Sequence, residues 1–99
     1  MTPQRIIQLN DQLRTGFKGG RIEVCHGPYD LDDRTIGRML CVLARYNRFA
    51  PNSLHDSGQF IFGGFSFEWT IEIVAGERVL RVWVERDALY LGVEDERNA

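Results

Sequence analysis

The sequence predicts an α+β fold, in which two helices pack on one face of an antiparallel sheet. Hydrophobic residues recur with a period near 3.6 up to about residue 48, and from residue 59 the period changes to 2. The chain has 99 residues, 43% of them hydrophobic, which is enough for one core and too few for two. We therefore expect a single domain over residues 1–93 and a frayed, charged tail over residues 94–99.

The first half of the chain begins with a helix and a strand. Thr2 and Pro3 are typical of an N-cap and a first-turn proline. Four apolar residues then recur at helical spacing before Gly16: Ile6, Ile7, Leu9 and Leu13. The pair Gly19-Gly20 breaks this pattern, and the alternation over residues 21–25 predicts a short strand.

The second helix is predicted over residues 32–48. Acidic residues at its start suit the positive end of a helix dipole: Asp30, Asp32 and Asp33. Its apolar face consists of Ile36, Met39, Leu40, Leu43 and Tyr46. We expect the helix to stop before Ala50-Pro51, because a residue that precedes proline disfavours the helical region, and residues 51–58 to form a polar loop.

Four strands are predicted to follow as a meander, over residues 59–62, 65–73, 78–85 and 88–93. The second of them has the clearest alternation, with five residues directed to one face: Phe65, Phe67, Trp69, Ile71 and Ile73. Gly63-Gly64 and Ala75-Gly76-Glu77 supply turns. The order is therefore αβα followed by a four-strand meander.

The net charge of −2 hides an uneven distribution. Residues 1–50 carry eight basic and five acidic side chains, a net charge of +3, whereas residues 51–99 carry four and nine, a net charge of −5. No apolar run reaches the roughly 18 residues of a membrane span, and the first residues form no signal-peptide core. We expect a cytoplasmic protein that binds no membrane.

The cysteine and histidine content argues against a metal site. Cys25 and Cys41 are expected to stay reduced, and with His26 and His55 they make up all the cysteine and histidine of the chain. A zinc site needs about four such ligands in spaced pairs. No cofactor motif is present either, so we predict neither a metal nor a cofactor.

Three short motifs carry a family resemblance. They are Asn10-Asp11 with Arg14, Gly20-Arg21 with Gly27 seven positions after Gly20, and His55-Asp56-Ser57-Gly58 with Trp69 eleven positions after Gly58. In their order and spacing, over about residues 4–73, the chain resembles the bacterial family catalogued as domain of unknown function 3768. The chain departs from that family in lacking the phenylalanine of its His-Asp-Phe-Gly motif and its acidic C-terminal stretch.

The resemblance implies a shared fold and an association with plasmids, integrated elements and phages, without an established activity. Six of the motif residues are interpreted as structural: Asn10, Asp11, Arg14, Gly20, Arg21 and Trp69. Four of them are expected to form one buried network that joins the first helix to the sheet: Asn10, Arg14, Arg21 and Trp69.

His55 and Asp56 are the candidate catalytic residues. A histidine beside a carboxylate can act as a general base, which would make the chain a small hydrolase. No GxSxG, HExxH or P-loop motif accompanies them. The structural interpretation, which we prefer, is that Asp56 hydrogen-bonds the loop backbone while His55 packs on a neighbour. A pairing of Cys25 with His55 stays open.

The second helix carries a candidate binding surface. Four arginines at helical spacing lie opposite its apolar face: Arg34, Arg38, Arg45 and Arg48. Such a row can bind the phosphates of nucleic acid or the carboxylates of a protein. The alternative is a solvated face that balances the acidic half of the chain.

Trp83 is a second candidate contact. It shares the parity of Arg81 and Glu85 instead of that of the apolar strand residues, which places an aromatic on the polar face of the sheet. Arg81 and Trp83 are therefore candidate partner-binding residues. The other strand aromatics are expected to form the core.

The function we predict is a small non-enzymatic binding module. Its partner would be a larger protein or nucleoprotein complex, or a second copy of the chain. Because the family it resembles is associated with mobile elements, the concrete expectation is an anti-CRISPR-like inhibitor of a host defence complex. The alternatives are the hydrolase at His55 and Asp56, and nucleic-acid binding through the arginines, against which the sequence pI of 5.6 argues.

Overall fold

Two helices and four strands are present in the residues that the computed structural model describes, which are 1–25, 29 and 31–87. In chain order they are α1 (Pro3–Gly16), β1 (Arg21–Cys25), α2 (Asp33–Ala44), β2 (Ser57–Phe62), β3 (Phe65–Val74) and β4 (Glu77–Asp87). The α+β class predicted from the sequence is confirmed. The predicted tail, residues 94–99, lies outside the described residues.

Helix α1 begins and ends with side-chain and backbone caps. The Oγ1 atom of Thr2 accepts a hydrogen bond from the backbone N–H of Arg5 at 3.2 Å, which satisfies one of the amides that a helix start leaves unpaired. At the other end Phe17 takes the left-handed conformation, with φ of 57°. The start at Pro3 and the end at Gly16 are as predicted.

Helix α2 is shorter than the predicted span of residues 32–48. It begins as expected, with the Asp32 carboxylate accepting a hydrogen bond from the backbone N–H of Thr35 at 2.7 Å. It ends at Ala44, because the backbone turns at Arg45 and the last carbonyls are bound by another side chain, described below. The prediction that all four arginines lie on this helix is therefore wrong, because Arg45 is its C-cap residue and Arg48, which is exposed, lies beyond it.

The sheet is mixed instead of wholly antiparallel. Its strand order is β1-β4-β3-β2, in which β2, β3 and β4 form an antiparallel meander and β1 lies parallel to β4. Ile22 and Val24 pair in register with Leu80 and Val82, which gives β4 a neighbour on each side. The predicted meander therefore holds for three strands; the fourth, over residues 88–93, lies outside the described residues.

Tight turns join the meander. Gly63 and Gly64 have φ of 62° and 84°, and Ala75 and Gly76 have φ of 52° and 82°. Two successive residues with positive φ are the requirement of the hairpin turn whose twist matches that of the strands. The two turns predicted from the sequence are formed.

The core lies between the helices and one face of the sheet. Its buried apolar residues are Leu13, Leu31, Met39, Leu43, Phe60, Phe67, Trp69, Ile71, Leu80 and Val82. Ile73 was expected to join them, but its side chain is 60% exposed. It lies next to the end of β3, where neither helix covers the sheet.

Gly20 marks a close approach of two backbone segments. A Cβ atom at this position would lie 2.1 Å from the carbonyl oxygen of Arg78. We expect Gly20→Ala to lower the free energy of unfolding by about 1–3 kcal/mol, since a backbone atom cannot move aside as a flexible side chain does. Urea denaturation measures the change. Gly16→Ala is the matched control, because nothing lies within 4 Å of a Cβ there, and an equal loss in both variants would contradict the steric explanation.

Candidate functional site

The residues of the first sequence motif meet the His55 loop. The Nδ2 atom of Asn10 donates a hydrogen bond to the carbonyl of Leu54 at 2.9 Å. One carboxylate oxygen of Asp11 lies 3.0 Å from Nδ1 of His55. The turn of α1 from Asn10 to Arg14 therefore holds the loop that precedes β2.

Arg14 is the buried centre of this cluster. Its side chain is 5% exposed, and NH2 lies 3.1 Å from the Asp11 carboxylate. NH1 donates to the carbonyls of Leu43, Ala44 and Tyr46 at 3.1, 3.0 and 2.9 Å. These carbonyls carry the partial negative charge of a helix C-terminus, so a cation suits the position. Arg14 thereby caps α2 from the neighbouring helix.

Aromatic rings enclose the guanidinium. The Cζ atom of Arg14 lies 5.1 Å from the ring centroid of Phe49 and 6.0 Å from that of Trp69. The ring of His55 stacks on the same Phe49 ring, with ring centroids 3.8 Å apart. Tyr46 meets Trp69 edge to face at 5.4 Å. The motif residue Trp69 is fully buried, as a core residue would be.

Gly58 has a steric role in the same cluster. A Cβ atom there would lie 2.6 Å from both Nε1 of Trp69 and Cζ of Tyr46. The glycine of the third sequence motif thus makes room for two aromatic rings. No role for Gly58 was predicted from the sequence, although its place in a motif eleven residues before Trp69 indicated one.

His55 and Asp56 are not paired with each other. His55 bonds to Asp11, 44 positions earlier in the chain, and has φ of 56°. The backbone carbonyl of Asp56 accepts a hydrogen bond from the amide of Ile71 at 2.8 Å, which ties the loop to β3. No serine, threonine or cysteine side chain hydrogen-bonds the His55 ring within the part of the chain that the structure describes, and Cys25 lies at the end of the edge strand β1.

The contact between Asp11 and His55 was not predicted from the sequence, because it depends on how α1 lies against the loop. One signal was present. Ile6, Asn10, Leu13 and Arg14 share the spacing of one helix face, so two polar residues interrupt an apolar stripe. Polar residues at such positions are buried only when they are hydrogen-bonded, which is what the structure has for Asn10 and Arg14.

Two of the four predicted arginines, Arg34 and Arg38, lie on the exposed side of α2, and Arg45 is its C-cap residue. We call Arg34, Arg38 and Arg45 the arginine stripe; all three are exposed. None of the three makes a hydrogen bond or an ion pair with a described residue. Cys41, an exposed free thiol, lies between Arg38 and Arg45. The cations therefore make no direct contact with the acidic side chains that the structure describes in the second half of the chain.

Arg21 lies far from the Arg14 cluster, on the face of the sheet away from the helices, which we call the open face. There it pairs with Glu23 at 2.9 Å and with Glu77. Arg81 pairs with Glu23 at 2.9 Å and with Glu72 at 3.6 Å. The hydrogen bonds from Arg81 and Arg21 lower the pKa of Glu23. The expectation that Arg21 joins the Asn10 and Arg14 network is thus wrong, since its strand directs it to the other face.

Trp83 lies on the open face, half-buried, in register between Cys25 and Glu68. A hydrogen bond with Glu85 raises the pKa of Glu68, because two carboxylates in contact are not both ionised at low cost. Gln59 donates to Glu85 at 3.3 Å. Neither glutamate has an ion pair with a described side chain, in contrast to Glu23, Glu72 and Glu77 on the same face.

Other kinds of site are not formed by the described residues. They contain no group of three or more histidine, cysteine or acidic side chains that could hold a metal ion. They also contain no helix with the length and apolar character needed to cross a membrane. Comparisons with protein-family models, with curated proteins and with solved structures find no match to this chain.

Arg14→Met keeps the aliphatic stem and removes the guanidinium. We expect it to lower the free energy of unfolding by at least about 3 kcal/mol, because the carbonyls of Leu43, Ala44 and Tyr46 and the Asp11 carboxylate lose their hydrogen bonds to the guanidinium. Urea denaturation followed by circular dichroism measures the loss. Arg5→Met is the control, because Arg5 is exposed on the same helix and its side chain hydrogen-bonds, among the described residues, only to Gln8. A loss for Arg14→Met no larger than that of the control would contradict the capping role.

Glu68→Gln tests the carboxyl pair. The raised pKa means that the folded state binds a proton at Glu68 more readily than the unfolded state does. The stability of wild type therefore falls as the pH rises from 4.5, the ordinary pKa of a glutamate, through the raised pKa of Glu68. The variant should be more stable than wild type above this pH range and no more stable than wild type below it.

Glu23→Gln is the control of opposite sign. Its pKa is lowered, so Glu23 stabilises the fold above its ordinary value of 4.5, and this contribution is lost as the pH falls through the lowered pKa. Its removal should lower stability at neutral pH. Denaturation midpoints between pH 3 and pH 8 (about five points) measure both variants, and the same sign of change in the two at neutral pH would contradict the assignment.

Proposed function

We propose that this chain is a small non-catalytic binding module, and that it docks through the arginine stripe of α2 onto an acidic surface of a larger protein. The observation that supports the proposal is the contrast among its arginines. Arg14, Arg21 and Arg81 are engaged by carboxylates or carbonyls of the chain itself. Arg34, Arg38 and Arg45 are exposed and have no such partner among the described residues.

The spacing of the stripe defines the complementary surface. Arg34 and Arg45 are eleven positions apart, which corresponds to about 16 Å along a helix axis. A partner would need carboxylates distributed over that length, and a guanidinium binds a carboxylate through two parallel hydrogen bonds.

Small residues lie along the stripe. Gly37 is exposed, with nothing within 4 Å of a Cβ at its position, and Cys41 is short and exposed. The partner backbone could therefore approach α2 closely between the arginines. An interface of this kind owes its association rate and its specificity to charge, and its affinity falls as salt is added.

An acidic protein is favoured over nucleic acid as the partner. The sequence pI is 5.6, and the open face presents Glu68 and Glu85 without a neutralising arginine among the described side chains. Nucleic-acid binding domains are usually basic over a whole face. In its concrete form the proposal is an inhibitor of a host defence complex, on the basis of the resemblance to a mobile-element family.

The test is affinity capture of the tagged 99-residue chain from nuclease-treated bacterial lysate, followed by titration of the purified partner. We expect the triple variant Arg34→Glu, Arg38→Glu, Arg45→Glu to weaken binding by about 100-fold or more, since opposed like charges cost several kcal/mol. Arg5→Glu, on α1, is the control. A partner that binds the triple variant as tightly as wild type would refute the role of the stripe.

The same experiment separates the two alternatives. If the partner is nucleic acid, nuclease treatment removes it and the logarithm of affinity falls linearly with that of salt concentration. If the chain is a hydrolase, the contact between His55 and Asp11 is the observation in its favour, and His55→Ala would abolish activity while partner binding persists.

A further inference from the structure

A groove lies on the helix side of the sheet, away from the arginine stripe, between α1 and the end of the β3-β4 hairpin. Its volume is about 170 Å³, which is below the range of about 300–1,000 Å³ for drug-sized ligands. The residues that line it include Ile6, Asn10, Asp56, Ile71, Ile73 and Arg78. The size suits one amino-acid residue.

One wall of the groove is apolar and incompletely covered. Ile73 is 60% exposed although it shares the core-facing parity of Ile71, which is 8% exposed. Ile6, half-buried on α1, faces them across the groove. An aliphatic group placed here would remove apolar surface of all three isoleucines from water, which is favourable.

The groove also has polar groups, and two of its charged side chains, Arg78 and Asp56, have no ion-pair partner among the described residues. Arg78 is half-buried, pairs in register with Ile73, and makes no side-chain hydrogen bond or ion pair with a described residue. Asp56 lines the same groove, yet its carboxylate and the Arg78 guanidinium do not form an ion pair. A second acidic residue of the groove, Glu72, is engaged by Arg81.

A buried amide adds an independent indication. Asn10 is only 3% exposed and lines the groove. Its Nδ2 atom is bonded to Leu54, whereas its Oδ1 atom accepts no hydrogen bond from the described residues. Oδ1 is therefore available to accept a hydrogen bond from a ligand in the groove.

We propose that this groove binds an aliphatic α-amino acid, either free or as the C-terminal residue of a peptide. The carboxylate of the ligand pairs with Arg78. The nitrogen attached to its α-carbon donates hydrogen bonds to Asn10 Oδ1 and to the Asp56 carboxylate, and its side chain packs on the three isoleucines. Each polar group of the groove then has a partner of the matching kind. This site is separate from the arginine stripe and does not depend on the proposed docking function.

The test uses the whole 99-residue chain labelled with nitrogen-15, titrated with L-leucine and with the tripeptide Gly-Gly-Leu. We expect saturable shifts of the backbone amides of Ile71 and Ile73, with a Kd of about 1 mM for a ligand of this size. Leucinamide, which lacks the carboxylate, should bind at least about tenfold more weakly. Saturation by both ligands indicates a free amino acid, and saturation by the tripeptide alone indicates a peptide C-terminus.

Arg78→Met is the decisive variant, because it keeps the stem and removes a guanidinium that the fold does not use. It should bind leucine at least about tenfold more weakly than wild type and should no longer distinguish leucine from leucinamide. Arg5→Met, at an exposed position of α1 outside both proposed sites, should bind as wild type does. Ile73→Ser, at an exposed position, should weaken both ligands. The proposal is overturned if no ligand saturates the groove amides, or if Arg78→Met binds leucine as tightly as wild type.

Discussion

The interaction on which the rest of the structure depends is the burial of the Arg14 guanidinium at the end of α2. A buried cation is tolerated where it is paired, and the NH1 and NH2 atoms of Arg14 are bonded to three backbone carbonyls and one carboxylate. Its Nε atom is buried without a hydrogen-bond partner among the described residues. Because those carbonyls are bound, α2 ends at Ala44 and the chain turns so that Tyr46 and Phe49 reach Trp69. The same guanidinium orders Asp11, and through it His55. One side chain thus joins both helices to the loop that leads into the sheet.

The sheet separates the charges of the protein. Its helix side holds the core and, beyond it, the arginine stripe, whereas its open face carries the carboxylates of β1, β3 and β4. Part of the open face is neutralised by Arg21 and Arg81, whereas Glu68 and Glu85 form no ion pair with any side chain that the structure describes. The uneven charge of the two halves of the sequence therefore becomes a separation between two faces, a distribution that suits partners of opposite charge on opposite sides.

The candidate site was only partly accessible to sequence reasoning. The resemblance singled out the segments around Asn10 and His55, and these do meet, but the partner of His55 is Asp11 instead of the adjacent Asp56. Although His55 and Asp56 are adjacent in sequence, they make different contacts. The left-handed backbone at His55 directs its ring to α1, whereas the backbone carbonyl of Asp56 accepts a hydrogen bond from Ile71 of β3. Arg21 was expected to join the Arg14 cluster but does not. Because side chains alternate between the two faces of a strand, its position in β1 places it on the opposite face of the sheet.

By itself the sequence determined the local elements: the start of α1 at its cap, the start of α2, the two hairpin turns and the alternation of β3. These follow from interactions within a few residues, such as caps, backbone preferences and periodicity. Only the tertiary structure decided the parallel pairing of β1 with β4, the early end of α2, the exposure of Ile73 and the contact of Asp11 with His55. Each of these depends on contacts between segments distant along the chain, and no local pattern of residues encodes them.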